Sequence, residues 1–268
     1  MVRKWPYKSF IFTVEGGIAT VRLNRPAQLN ALTFETYEEL GRMAFDLRED
    51  DTVKVLVLTG EGRGFCSGGD VHDIMGRLLE ADSLALIAFQ RMAGRVTKGL
   101  LSLRKPTIAA VNGYAAGAGA VIAVACDIRI AAERARFAFL FPRVGLPSSD
   151  LGACWLLPRV VGLGKAAELL LTGDTIDAQE AERIGMVNKV VPDKKLEEAA
   201  MDLASRLAGY APLSNAMTKE LIYKGLGMDF NSAIDWEGWL MSLAFHTDDG
   251  KEGQRAAGEK RPPLYQGK

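Results

Sequence analysis

The chain has 268 residues, 48% hydrophobic and 25% charged, the balance of a folded protein large enough to bury a substantial core. Its 33 basic and 33 acidic residues cancel, which argues against bulk attraction to nucleic acid or an acidic membrane and does nothing to oppose self-association. Two histidines exclude a His-rich metal site, and Cys66, Cys126 and Cys154, with no CxxC pair among them, are expected as thiols rather than metal ligands.

Met1-Val-Arg-Lys-Trp-Pro6 lacks the apolar run of a leader, and no stretch reaches membrane-spanning length, so a cytoplasmic protein is expected. Alternating residues in 9–14 and 17–23 around Glu15-Gly16-Gly17 predict a β-hairpin. Thr33 is the expected N-cap of a helix to Arg48 with Tyr37, Leu40, Ala44 and Leu47 on one face. A buried strand is predicted over 53–58, followed by a loop over 60–64. Asp70 is the expected cap of a helix over 71–79, and a longer helix should span 83–103.

The β-branched run 107–111 ends in the turn signal Asn112-Gly113, and small residues lead into an apolar helix over 119–125. Only small side chains let a ligand lie on the first turn of a helix, where backbone N–H groups lack an internal partner. Those donors and the positive end of the helix dipole suit a developing negative charge. Ala118 is therefore expected to donate one of two hydrogen bonds to an oxyanion. Strands should follow at 128–131 and 135–139, then a turn-rich stretch from Pro142 to Asp150 and a helix over 151–160. Beyond Lys165 helical patterns dominate, with one short apolar run at 186–191. The expected architecture is α/β, with residues 1–200 as the core and 201–268 as a helical C-terminal region.

In Gly64-Phe-Cys-Ser-Gly-Gly-Asp70 the two glycines are expected to free the backbone N–H of Ser67 for a ligand. The stretch is neither a phosphate loop nor a nucleophile elbow, and no flanking base would activate Ser67. This segment, together with Leu23-Asn-Arg-Pro26, Asn30-Ala-Leu32, Lys105-Pro106, Val111-Asn-Gly-Tyr-Ala115, Cys126-Asp127, Trp155-Leu-Leu-Pro-Arg159, Leu171-Thr-Gly173, Ile184-Gly-Met-Val187, Val190-Val-Pro192 and Glu259-Lys-Arg-Pro262, resembles the crotonase (enoyl-CoA hydratase/isomerase) family, in family order over nearly the whole chain.

The resemblance implies a ββα-spiral core, a helical trimerisation region, and a homotrimer or a hexamer built from two trimers. It implies an acyl-CoA thioester as substrate, with no cofactor beyond its coenzyme A moiety and no metal. Its carbonyl would be held by the N–H groups of Ser67 and Ala118. Coenzyme A would lie against Leu29 and Ala31 and the loop Ser67, Gly68, Gly69 and Asp70. Arg25 and Lys260 are candidate phosphate contacts, and Tyr265–Lys268 would reach towards the adenine end.

Hydratases of the family use two glutamates. The matching positions here are Val121 and Phe141, or Arg143 in another register, and none is an acid. Val121 and Phe141 are expected as apolar walls of an acyl pocket shaped also by the 75–95 region. The remaining acid is Asp150, in Val144-Gly-Leu-Pro-Ser-Ser-Asp150, a context like that of the isomerase branches with one extra residue. Asp150 reads equally as the N-cap of the following helix. Ser148 and Ser149 are candidates for a hydrogen bond to substrate or water. With Asp150 as single acid/base, the expected reaction is double-bond isomerisation of an unsaturated acyl-CoA. Hydration, of a cyclic or conjugated acyl-CoA among others, or another crotonase reaction such as ring formation or hydrolysis, stands as the alternative. A silent scaffold or RNA-binding relative would want a longer basic strip than Lys194-Lys195 or Lys260-Arg261.

Overall fold

In the computed structural model, which describes residues 5–268, the chain winds as a spiral of strand, strand and helix. Most of the N-terminal stretch read as lacking a leader lies outside the described residues. The hairpin forms as its pattern requires: β1 (Phe10–Glu15) pairs antiparallel with β2 (Ile18–Leu23) about Gly16 and Gly17, both left-handed. Thr33 caps α1 (Phe34–Arg48), its hydroxyl accepting the Thr36 N–H at 3.2 Å, and the predicted face of Tyr37, Leu40, Ala44 and Leu47 is buried.

From β3 (Val55–Gly60) through the five strands that follow, strands are laid alternately in two sheets. β3, β5 (Thr107–Val111) and β7 (Ile128–Ala132) run parallel in the larger sheet. The short β4 (Gly64–Cys66), β6 (Tyr114–Ala116) and β8 (Arg136–Ala138) run parallel in the smaller one. The returns are helical. A wide turn (Val71–Met75), α2 (Gly76–Leu79) and α3 (Ser83–Ser102) lead from β4 to β5, and α4 (Ala118–Ala125) leads from β6 to β7. All eight residues of α4 are buried, as a helix apolar on every side must be.

After β8 come α5 (Ala153–Val161), α6 (Leu163–Thr172), β9 (Thr175–Asp177), α7 (Ala178–Arg183) and β10 (Lys189–Val191). β9 closes the small sheet antiparallel to β8, and β10 extends the large one beside β7. The strands β4, β6 and β9 have three residues each, too short to register as alternation, and sequence patterning does not reveal them.

α8 (Leu196–Ala208) covers the outer face of the large sheet, where Leu196, Ala200 and Ala204 meet Val55, Val57, Ile108 and Ile130. It runs through residue 200, so a core ending there would cut the helix. Three further helices, α9 (Pro212–Gly225), α10 (Phe230–His246) and α11 (Asp248–Gly258), form the C-terminal region. Asp127, from the Cys126-Asp127 pair, fastens α9 to the core: it accepts from Lys219 Nζ at 2.8 Å and from the Tyr223 hydroxyl at 2.7 Å. Lys219 is buried and also donates to Leu100 O and Lys105 O, which satisfies the remaining ammonium hydrogens. No described helix is long and apolar enough to cross a membrane.

Candidate active site

Two backbone segments meet at the N-terminus of α4. Gly68 adopts φ +98°, and a Cβ there would stand 3.1 Å from Ala116 O and 3.5 Å from Ala118 N, so only glycine lets the β4 loop lie this close to the helix. Gly119 has the same role one residue further on: a Cβ would fall 2.2 Å from Cys66 O. Ala118 is the first residue of α4, and its N–H has no intrahelical acceptor. It opens with Gly117 onto a cavity of about 360 Å³.

Ser67, Gly68 and Gly69 line the same cavity. The Ser67 N–H is not free, however. It donates to Leu29 O at 3.0 Å, because the loop over residues 25–31 folds across β4. That loop is pinned by buried Asn30, whose amide donates to Glu61 O and Gly64 O and whose Oδ1 accepts the Arg25 N–H. Leu29 and Asn30 both have positive φ. A ligand oxygen would share the Ser67 N–H with Leu29 as a three-centre bond.

The other loop residues are tied to one another by hydrogen bonds and an ion pair. Arg25 bridges Asp70 Oδ2 at 2.9 Å and donates to Ala31 O, so its guanidinium holds the loop. Asp70 Oδ1 accepts the N–H groups of His72 and Asp73, capping the wide turn as expected. The Asp73 N–H, with Arg25 beside it, holds the Asp70 carboxyl below the usual carboxylate range. Leu29, Ala31 and Asp70 do not line the cavity, nor do Lys260 and Lys268. The C-terminal residues are fastened to α11, with the Asp249 carboxylate accepting from Gln266 N and Gly267 N and Asp249 N donating to Lys268 O.

The far side of the cavity is apolar. Ile74, Met75 and Leu78 come from the wide turn and α2, Phe89 comes from α3, and Leu140 and Phe141 follow β8. Phe141 lines the cavity. Val121 does not: it is fully buried, one turn inside α4, and belongs to the core rather than to the cavity. Ser148 is buried too, its hydroxyl donating to Leu170 O at 2.7 Å, whereas Ser149 lines the mouth.

Asp150 lies in this wall, and the N-cap reading fails. α5 begins at Ala153 with Gly152 as its cap, because Leu151 (φ 48°) and Gly152 (φ 87°) turn the chain in the left-handed region before the helix starts. Holding a leucine there costs about 1–2 kcal/mol. The Asp150 carboxyl is thereby left in the cavity with one hydrogen bond, from the Leu151 N–H to Oδ1 at 3.0 Å. Burial pushes its pKa from 3.8 to about 6, only partly opposed by that bond. Among the described residues it is the one carboxylate lining the cavity, and no glutamate joins it. Tyr37, read from sequence only as a core position of α1, also lines this wall.

A paired donor segment, an apolar acyl-sized cavity and one carboxyl poised near neutrality define a site for generating charge on a carbonyl oxygen while a proton moves. Comparison with known proteins gives the lineage. The Enoyl-CoA hydratase/isomerase family model matches residues 13–268, and the chain belongs to that family, the crotonase superfamily. It is 37% identical to the short-chain-enoyl-CoA hydratase of Clostridium acetobutylicum, covering 94% of this chain and 95% of that one. It is 38% identical to the 1,2-epoxyphenylacetyl-CoA isomerase of Escherichia coli K12, covering 95% and 97%. Among solved structures, the enoyl-CoA hydratase of Bacillus anthracis matches with a TM-score of 0.92 at 33% identity, covering 97% of this chain and 100% of that one. The spiral α/β fold and a hydratase/isomerase-type enzyme follow directly.

Proposed function

We propose that this protein is an acyl-CoA double-bond isomerase in which Asp150 is the single acid/base. The observation that carries this reading is the carboxyl, solitary among the described residues, in an apolar wall, its pKa raised to about 6, lining the same cavity as the donor segments Ser67 and Ala118. The thioester carbonyl of an unsaturated acyl-CoA accepts hydrogen bonds from Ala118 N–H and, shared with Leu29 O, from Ser67 N–H. Ionised Asp150 removes a proton from C2 or C4, and the negative charge that develops on the thioester oxygen is held by the two N–H groups and the α4 dipole. The carboxyl then returns the proton at the other end of the dienolate. A pKa near 6 serves both halves of this cycle, being low enough to ionise and high enough to give the proton back.

Phe141 and the apolar wall exclude water from the dienolate, and Val121 fills the position where a hydratase would keep a carboxylate. Hydration remains the rival reading, favoured by Ser149, which sits beside Asp150 at the exposed mouth and offers a hydroxyl to a water. Incubation with 3-enoyl-CoA and 2-enoyl-CoA in deuterated water separates the two. Migration of the double bond supports isomerisation, whether the hydrogen that Asp150 returns is the one it removed or one exchanged with the deuterated solvent, and a 3-hydroxyacyl-CoA product rejects it.

The protein is further proposed to work as a homotrimer or a dimer of trimers. α10 has no buried residue, and Phe230, Trp239, Met241, Leu243 and Phe245 on it are more than half exposed, an apolar surface that a second copy would cover.

A further inference from the structure

The isomerase cycle leaves the Tyr37 hydroxyl in the cavity wall without a task. Tyr37 is only 2% exposed, its ring set edge-on against Phe89 at 5.5 Å, and its hydroxyl lies over Gly69, 3.7 Å from where a Cβ would stand. Among the described residues that hydroxyl has no hydrogen-bond partner; Asp150 shares the cavity but no hydrogen bond joins the two. Among the described residues no side-chain polar atom is both sealed off and unpaired, so this hydroxyl opens onto the cavity as a donor with no acceptor in the protein, whereas the hydroxyls of buried tyrosines ordinarily find one. The ring alone would pack equally well as phenylalanine. The neighbours Ile74, Met75 and Phe89 are apolar and offer nothing to accept it.

We propose that Tyr37 determines specificity by donating its hydroxyl hydrogen to an oxygen on the acyl chain, so that the site takes an acyl-CoA bearing a keto, ether or epoxide oxygen beyond the thioester. This rests on the acyl-CoA reading above and adds the substrate class. The hydroxyl lies over Gly69, two residues along the loop from the Ser67 donor, and close enough to Asp150 to feel its charge, so an acyl chain that enters between the donor loop and Asp150 passes within its reach. The hydroxyl is a dependable donor there: burial raises its pKa well above the ordinary value, and the charge of Asp150 acts in the same direction. A site built to hydrogen-bond a substrate oxygen disfavours the analogue that lacks it, because its own polar group is then left unpaired.

The test is calorimetric titration of the full-length protein and of Tyr37→Phe with hexanoyl-CoA, 4-oxohexanoyl-CoA and 5-oxohexanoyl-CoA, none of which has a double bond to move. One of the two oxo ligands is expected to bind the wild type about tenfold tighter than hexanoyl-CoA, and Tyr37→Phe should erase that preference. Equal or tighter binding of hexanoyl-CoA to the wild type, which needs no variant to measure, overturns the inference and leaves the acyl-CoA reading standing. A preference that survives in Tyr37→Phe overturns it also. If none of the three binds the wild type, the acyl-CoA reading falls and this inference with it.

Discussion

Replacing Asp150 by Asn tests whether the carboxyl is held in the cavity wall. The amide oxygen can still accept the Leu151 N–H, so the change removes little beyond the ionisable proton. A displacement from 3.8 to about 6 disfavours the ionised form in the folded protein by about 3 kcal/mol. The folded-state pKa is raised, so the unfolded chain ionises first as pH climbs. Native stability therefore falls between about pH 4 and pH 6 and stays lower above it. Asn carries no such cost. Asp150→Asn is thus expected to match the wild type near pH 3.5 and to exceed it by about 3 kcal/mol near pH 8. Denaturant titrations at one fixed protein concentration measure this without interference from assembly. A variant no more stable than the wild type at the higher pH would mean a carboxylate bathed in water, and the placement of Asp150 would be wrong. Gain in stability with loss of turnover is the signature of a group kept for chemistry.

The same carboxyl should shape activity. Isomerase kcat/KM is expected to rise tenfold per pH unit below about pH 6 and to level off above it, since the base must be ionised in the free enzyme; a pH-rate profile flat down to pH 4.5 would assign the proton transfer elsewhere. Ala118→Pro deletes the donor N–H at the first helical position, where proline is tolerated, and should lower kcat by about 100- to 1000-fold with circular dichroism unchanged. Gly119→Ala should cost about 3 kcal/mol of stability or more, because its Cβ would collide with a backbone oxygen 2.2 Å away rather than with a movable side chain; a melting curve like the wild type's would contradict the β4–α4 packing. Trp239→Glu on α10 should give monomers in sedimentation velocity if that face joins copies of the chain.

Local chemistry made much of this protein legible from its residues. The Gly16-Gly17 turn, the Thr33 cap, the Asp70 cap and the all-apolar α4 are decided by neighbours a few positions away, and each stands where its pattern requires. Ala118 at the head of α4 was visible for the same reason: a small residue after a glycine turn leaves an unpaired N–H whatever the remainder of the chain does.

Long-range packing decided the rest. Val121 has the same sequence environment as a cavity wall but lies inside the core, since helix periodicity reports a face and not its depth. The Ser67 N–H looked free among glycines, and only the fold of the distant loop over 25–31 brings Leu29 O to it. Tyr37 shares a heptad-like face with Leu40, Ala44 and Leu47, and nothing in that pattern says that its hydroxyl ends in a cavity. Asp150 is the plainest case. Its sequence supports a helix cap and a catalytic acid equally. Two successive left-handed residues, which no local pattern announces at a leucine, delay the helix and leave the carboxyl in the apolar wall.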